Sequence, residues 1–110
     1  MKNIKTYSEF LLESDIPYKN SEMTIKDKNI YQSIIDENND DLEKALNKYF
    51  HLNLDVAALG WIDKKIVFIQ YLGNPNTEEI YKLEIIGSNE VKQTLLTEQE
   101  IKKNQKFFKN

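Results

Sequence analysis

The sequence predicts an α+β domain. The sheet is a four-stranded antiparallel meander packed with helices, and a separate N-terminal amphipathic helix precedes it. Two observations carry this prediction. The spacing of apolar residues changes from helical before His51 to alternating after it. Four short stretches rich in β-branched and aromatic residues then follow, separated by Asp, Gly, Asn and Pro turn signals. The short loops favour neighbouring antiparallel strands. At 110 residues, 40% apolar and 30% charged, the chain has the balance of one ordinary globular domain.

From the N-terminus, Thr6 and Glu9 have the spacing of a capping box. Ile4, Tyr7, Phe10 and Leu11 then fall on one helical face. Pro17 biases Ile16 away from helical geometry and ends the element. The polar residues from 14 to 26 read as a linker. A single domain is therefore expected over 27–110. Within it, Ile30, Tyr31, Ile34 and Ile35 predict a short helix over about 27–37. Asp40, Asp41 and Glu43 open a second helix, whose apolar stripe is Leu42, Ala45, Leu46, Tyr49 and Phe50. The expected strands lie in 54–62, 65–72, 79–86 and 91–96. Tyr81, Leu83 and Ile85 alternate with Lys82 and Glu84, which predicts one wet face. Thr97 and Glu100 repeat the capping-box spacing and start a C-terminal helix with lysines at its negative end.

Composition excludes several kinds of chemistry. The chain has no cysteine, hence no disulfide and no thiolate. Its 15 basic residues are all lysine, and its net charge of −3 is spread without a basic block. Nucleic acid is therefore not an expected partner. No apolar run approaches the length of about 18 residues that spans a bilayer, so no membrane contact is expected.

Candidate chemical motifs fail at specific positions. A calcium loop counted from Asp36 would need Gly and Glu where the chain has Asp41 and Asn47. That acidic run reads as an interhelical turn with an N-cap. His51, the only histidine, sits where helix gives way to strand, so Asp55 four residues on is not held beside it. The Glu98-Gln99-Glu100 spacing resembles that of many ADP-ribosyltransferases, but those enzymes also need an Arg or His on an early strand and a Ser-Thr-Ser-like strand in a larger fold; this chain has no arginine, and Glu100 is accounted for as a cap. Gly60, Gly73 and Gly87 are isolated, so no phosphate loop is present. No enzyme activity, metal or cofactor is expected. Core burial accounts for most strand aromatics; Trp61, beside Gly60, is the candidate partner contact. Phe107 and Phe108 join it, because two adjacent rings near the terminus are hard to bury together.

The opening stretch, Ile4 to Ser14, resembles the capsid-targeting peptide of the internal head proteins of T-even-like bacteriophages. The residues that match are Lys5, Thr6, Tyr7, Glu9, Phe10 and Leu11, with Glu13 followed by the small Ser14. In that family the prohead protease cuts after the glutamate of a Leu/Ile-x-Glu motif. The resemblance therefore implies cleavage of Glu13–Ser14, with Leu11 as the recognition residue. It covers 11 of the 110 residues, and three extra residues, Met1 to Asn3, precede it. It implies a propeptide over 1–13, the phage prohead scaffold and protease as partners, and residence in the head interior, then the host cytoplasm. The mature body would act by binding, with a host defence or restriction protein as the expected target. A structural role in the head and a small ligand-binding domain are the alternatives.

Overall fold

The computed structural model describes residues 22–72 and 79–108. The propeptide and cleavage residues lie outside them. The fold is α+β as expected, but the antiparallel sheet has five strands and not four. The strands are β1 (Glu22–Lys26), β2 (Val56–Ile62), β3 (Ile66–Tyr71), β4 (Tyr81–Gly87) and β5 (Glu90–Leu95). The helices are α1 (Lys28–Asp36), α2 (Asn39–Phe50) and α3 (Glu98–Asn104), and a 3-10 turn over Gln105–Phe107 follows α3.

Strands β2 to β5 form the expected meander. The extra strand, β1, comes from the end of the segment read as a linker and pairs antiparallel with β5, giving the order β1-β5-β4-β3-β2. It has only two apolar residues, Met23 and Ile25, so local pattern is weak there. Its partner is distant in sequence, with Glu22 opposite Thr94. The strand order makes α1 and α2 necessary as a crossover. The chain must travel from one sheet edge to the other, across four interstrand spacings or about 19 Å. The 12 residues of α2 alone rise about 18 Å.

Local chemistry sets the helix ends. The Asp27 carboxylate accepts from the backbone N–H groups of Asn29 and Ile30, both at 2.9 Å, and starts α1. Glu37, at φ 52°, ends it in the left-handed region. Asn38 caps α2 by accepting from Asp41 N–H at 3.1 Å. The acidic residues of that run occupy the first turn, where the helix dipole favours them. His51, at φ 57°, ends α2 and is exposed. The buried side of α2 is Leu42, Ala45, Leu46 and Phe50. Tyr49, expected on the same stripe, lies in the last turn and is 38% exposed, with its ring edge-on to Phe50.

The two sheet faces carry separate cores. Between the sheet and α1–α2 lie Ile25, Ile30, Ile34, Leu42, Leu46, Phe50, Val67, Ile69, Tyr81, Leu83 and Val91. On the opposite face, Phe68, Ile80 and Leu96 are buried beneath Ile101, Phe107 and Phe108 of the C-terminal segment. That segment covers Phe68 of β3 together with Ile80 and Leu96, which flank β4 and β5. The remaining outer face is the predicted wet one: Lys82 meets Glu84 at 3.5 Å, and Lys92 meets Glu22 at 2.9 Å. No helix among the described residues is long and apolar enough to cross a membrane.

Candidate functional site

The bulge in β2 decides which surfaces are available. Strict alternation would put Trp61 on the outer face with Ala57 and Leu59. The register with β3 instead shifts between Ala58 and Gly60, one residue being inserted. Ala58 and Trp61, three residues apart, therefore both face the helical layer. Trp61 is half-buried against that core. Phe107 and Phe108 lie on the other side of the sheet. The candidate contact residue Trp61 is thus separated from Phe107 and Phe108 by the sheet itself.

Both terminal rings pack back on the sheet. Phe107 is roughly parallel to Phe68, with centroids 6.4 Å apart, and Phe108 meets the same ring edge-on at 5.2 Å. Both remain half-exposed. Gly60 permits this arrangement. A β-carbon there would collide with the backbone carbonyl of Phe107. Lys106 sits over the Phe107 ring at 5.2 Å, covering apolar surface while keeping its ammonium in water.

The C-terminal segment is held at its start by the predicted capping box. Thr97 N–H donates to Glu100 Oε1 at 2.8 Å, and Glu100 N–H donates to Thr97 Oγ1 at 3.1 Å. The Thr97 backbone donor, more than any other cause, holds the Glu100 carboxyl below its usual range. Glu98 and Glu100 are thus the first turn of a short helix. A group with a lowered folded-state pKa stabilises the fold above its unfolded pKa. That contribution is lost as pH falls through the folded value. Glu100→Gln is therefore expected to flatten the acid limb of stability below about pH 4.3. Thr97→Ala should cost about 1 kcal/mol. Urea titrations between neutral and acidic pH check both, and an unchanged acid limb in Glu100→Gln would refute the linkage.

A row of polar residues on α2 seals one sheet edge. Asn39, Glu43 and Asn47 stand four apart on α2, beside its buried stripe. Asn39 donates to Val56 O at 3.3 Å and accepts from Ala58 N–H at 2.9 Å. Glu43 accepts from Val56 N–H at 2.8 Å. Asn47 donates to Leu54 O at 2.7 Å and accepts from Leu54 N–H at 2.9 Å. Three side chains thus substitute for a neighbouring strand along β2 and its lead-in. Polar residues at i, i+4 and i+8 were visible in the sequence, but their partner was not.

Inside the helical core, Tyr71 donates to Gln93 Oε1, and Gln93 Nε2 approaches Met23 Sδ at 3.7 Å. Tyr71 lies edge-on to Tyr81 at 5.4 Å, and Tyr81 donates to Glu79 at 3.0 Å. Burial, with the neighbouring Tyr81, pushes the Tyr71 hydroxyl well above its ordinary pKa. It therefore serves as a neutral donor that ties β3 to β5. Between α1 and α2 runs an open groove of about 280 Å3, lined by Gln32, Ser33, Asp36, Asp41, Lys44 and Lys48. No group of three or more His, Asp or Glu is positioned to hold a metal among the described residues. Comparison with known proteins gave no match to a family model, a curated protein or a solved structure.

Proposed function

We propose that the protein is a phage internal head protein. Residues 1–13 target it to the prohead, and cleavage of Glu13–Ser14 releases a body that works by binding. The observation that carries this reading is the co-occurrence of Thr6, Tyr7, Glu9, Phe10 and Leu11 with the Leu11-x-Glu13-Ser14 cleavage pattern. The position of the fold is compatible with it: the first described strand starts at Glu22, eight residues beyond Ser14. Cleavage would leave the five strands and three helices described above intact. The propeptide carries two lysines and two glutamates, so the released body keeps the full net charge of −3.

In this reading the amphipathic propeptide helix lays Ile4, Tyr7, Phe10 and Leu11 into an apolar groove of the scaffold. The body then presents its mixed-charge sheet face and exposed helix sides to a host protein, with a defence or restriction factor as the target class. Intact-mass and N-terminal analysis of purified heads tests the proposal. The expected result is a packaged chain beginning at Ser14, and a Glu13→Gln chain that keeps its N-terminus. A full-length chain absent from heads, or Glu13→Gln processed like the wild type, would overturn it.

A further inference from the structure

The two edges of the sheet are treated differently. The β2 edge is sealed by Asn39 and Glu43 as described above. The β1 edge has no such cover among the described residues. Hydrogen-bond parity shows which groups it presents. Asp27 N–H donates to Asn89 O, on the β5 side. In an antiparallel ladder, alternate residues point their N–H and C=O groups to the same side. Met23 and Ile25 therefore bond toward β5, whereas Glu22, Thr24 and Lys26 direct theirs outward. The β5–β4 pairing agrees: Leu96 N–H donates to Ile80 O, so Val91 and Gln93 are left to face β1.

The β1 sequence, Glu22-Met23-Thr24-Ile25-Lys26, is complementary to itself when reversed. We propose that this edge pairs with β1 of a second copy, antiparallel and with a two-fold axis through Thr24. Glu22 then faces Lys26 of the second copy, Met23 faces its Ile25, and Thr24 faces its Thr24. All three outward-bonding residues find backbone partners, because Thr24 is one of them. Moving the axis to Glu22 or to Lys26 would stack like charges. Moving it to Met23 or Ile25 would leave the charged ends unopposed.

The side-chain faces agree with the same register. Met23 and Ile25 both belong to the helix-side core. Their pairing continues that core across the joint and puts the helices of both copies on one side. On the wet face, Glu22 already binds Lys92, which is why the Lys92 ammonium is held above its ordinary pKa. Lys26 has no ion-pair partner among the described residues. In the dimer its ammonium reaches the second copy's Glu22, so alternating charge runs unbroken from Glu84 through Lys92 and Glu22. The assembly is a closed, isologous ten-stranded sheet.

Sedimentation velocity on the full chain tests the pairing. Five residues per copy make a small interface, so the wild type should pass from monomer to dimer below about 1 mM. Lys26→Glu and Glu22→Lys each set like charges opposite at both ends of the joint. Each alone should dimerise about tenfold more weakly. Mixed in equal amounts they should recover wild-type association, since every opposed pair is then Glu with Lys. Thr24→Pro removes an outward N–H and leaves the β5 ladder intact, so it should be monomeric. A wild type that stays monomeric would overturn the proposal, leaving the edge to another protein's strand or to this chain's own N-terminal segment. Single charge variants that dimerise undiminished, or a mixture that fails to recover, would overturn it equally.

Discussion

Phe68→Ala is expected to lower the free energy of unfolding by about 3–5 kcal/mol, the cost of removing a fully buried ring. Phe68 is 1% exposed and is the surface on which both Phe107 and Phe108 rest. Its loss opens a cavity on the outer face and leaves the helix-side core unbroken. The C-terminal segment should therefore detach before the sheet unfolds. Amide exchange in 98–108 should rise while exchange in α2 stays slow. Gly60→Ala attacks the same contact from below, because the new methyl meets backbone and not a movable side chain. It should cost about 1–3 kcal/mol. Its effect should shrink once Phe107→Ala has already loosened the segment, and a double-mutant cycle reads that coupling. A Phe68→Ala protein within about 1 kcal/mol of wild type would show that the outer core contributes little.

The second large effect is expected at Asn47. Asn47→Ala removes both a donor and an acceptor from Leu54 and leaves two half-buried backbone groups without their partner. The expected loss is about 2–3 kcal/mol, since an unsatisfied buried polar group costs more than a hydrogen bond contributes. Asn39→Ala should destabilise less, its donor contact being longer at 3.3 Å. It should also free the Ala58 N–H at the sheet edge and so promote self-association. Urea midpoints with an unchanged slope would measure the stability change. An Asn47→Ala protein as stable as wild type would mean that water replaces the amide without loss.

The processing and pairing predictions concern opposite sides of one boundary. Cleavage at Glu13–Ser14 and dimerisation through β1 are separable. The first needs residues 1–14 and is read at the N-terminus of the packaged chain. The second needs Glu22 to Lys26 and is read by mass in solution. Failure of one leaves the other standing.

Among the described residues, the three helices, the four meander strands and the Thr97–Glu100 cap were legible in the sequence. Each rests on interactions within a few residues: a cap and its amides, an apolar stripe at helical spacing, or a turn between adjacent strands. The wet face was legible for the same reason, from Lys82 and Glu84 alternating with Tyr81 and Leu83. Only the tertiary structure decided what depends on distant partners. β1 was hidden because its two apolar residues become a strand only when β5, some seventy residues later, supplies the ladder. The face that Trp61 occupies was hidden because one inserted residue in β2 reverses strand parity, and the register with β3 that shows the insertion exists only in the sheet. Asn39, Glu43 and Asn47 find their partners in Leu54, Val56 and Ala58 only when β2 lies beside α2. A sequence states which side chains are near in the chain; which backbone groups they must satisfy is settled only when the sheet closes.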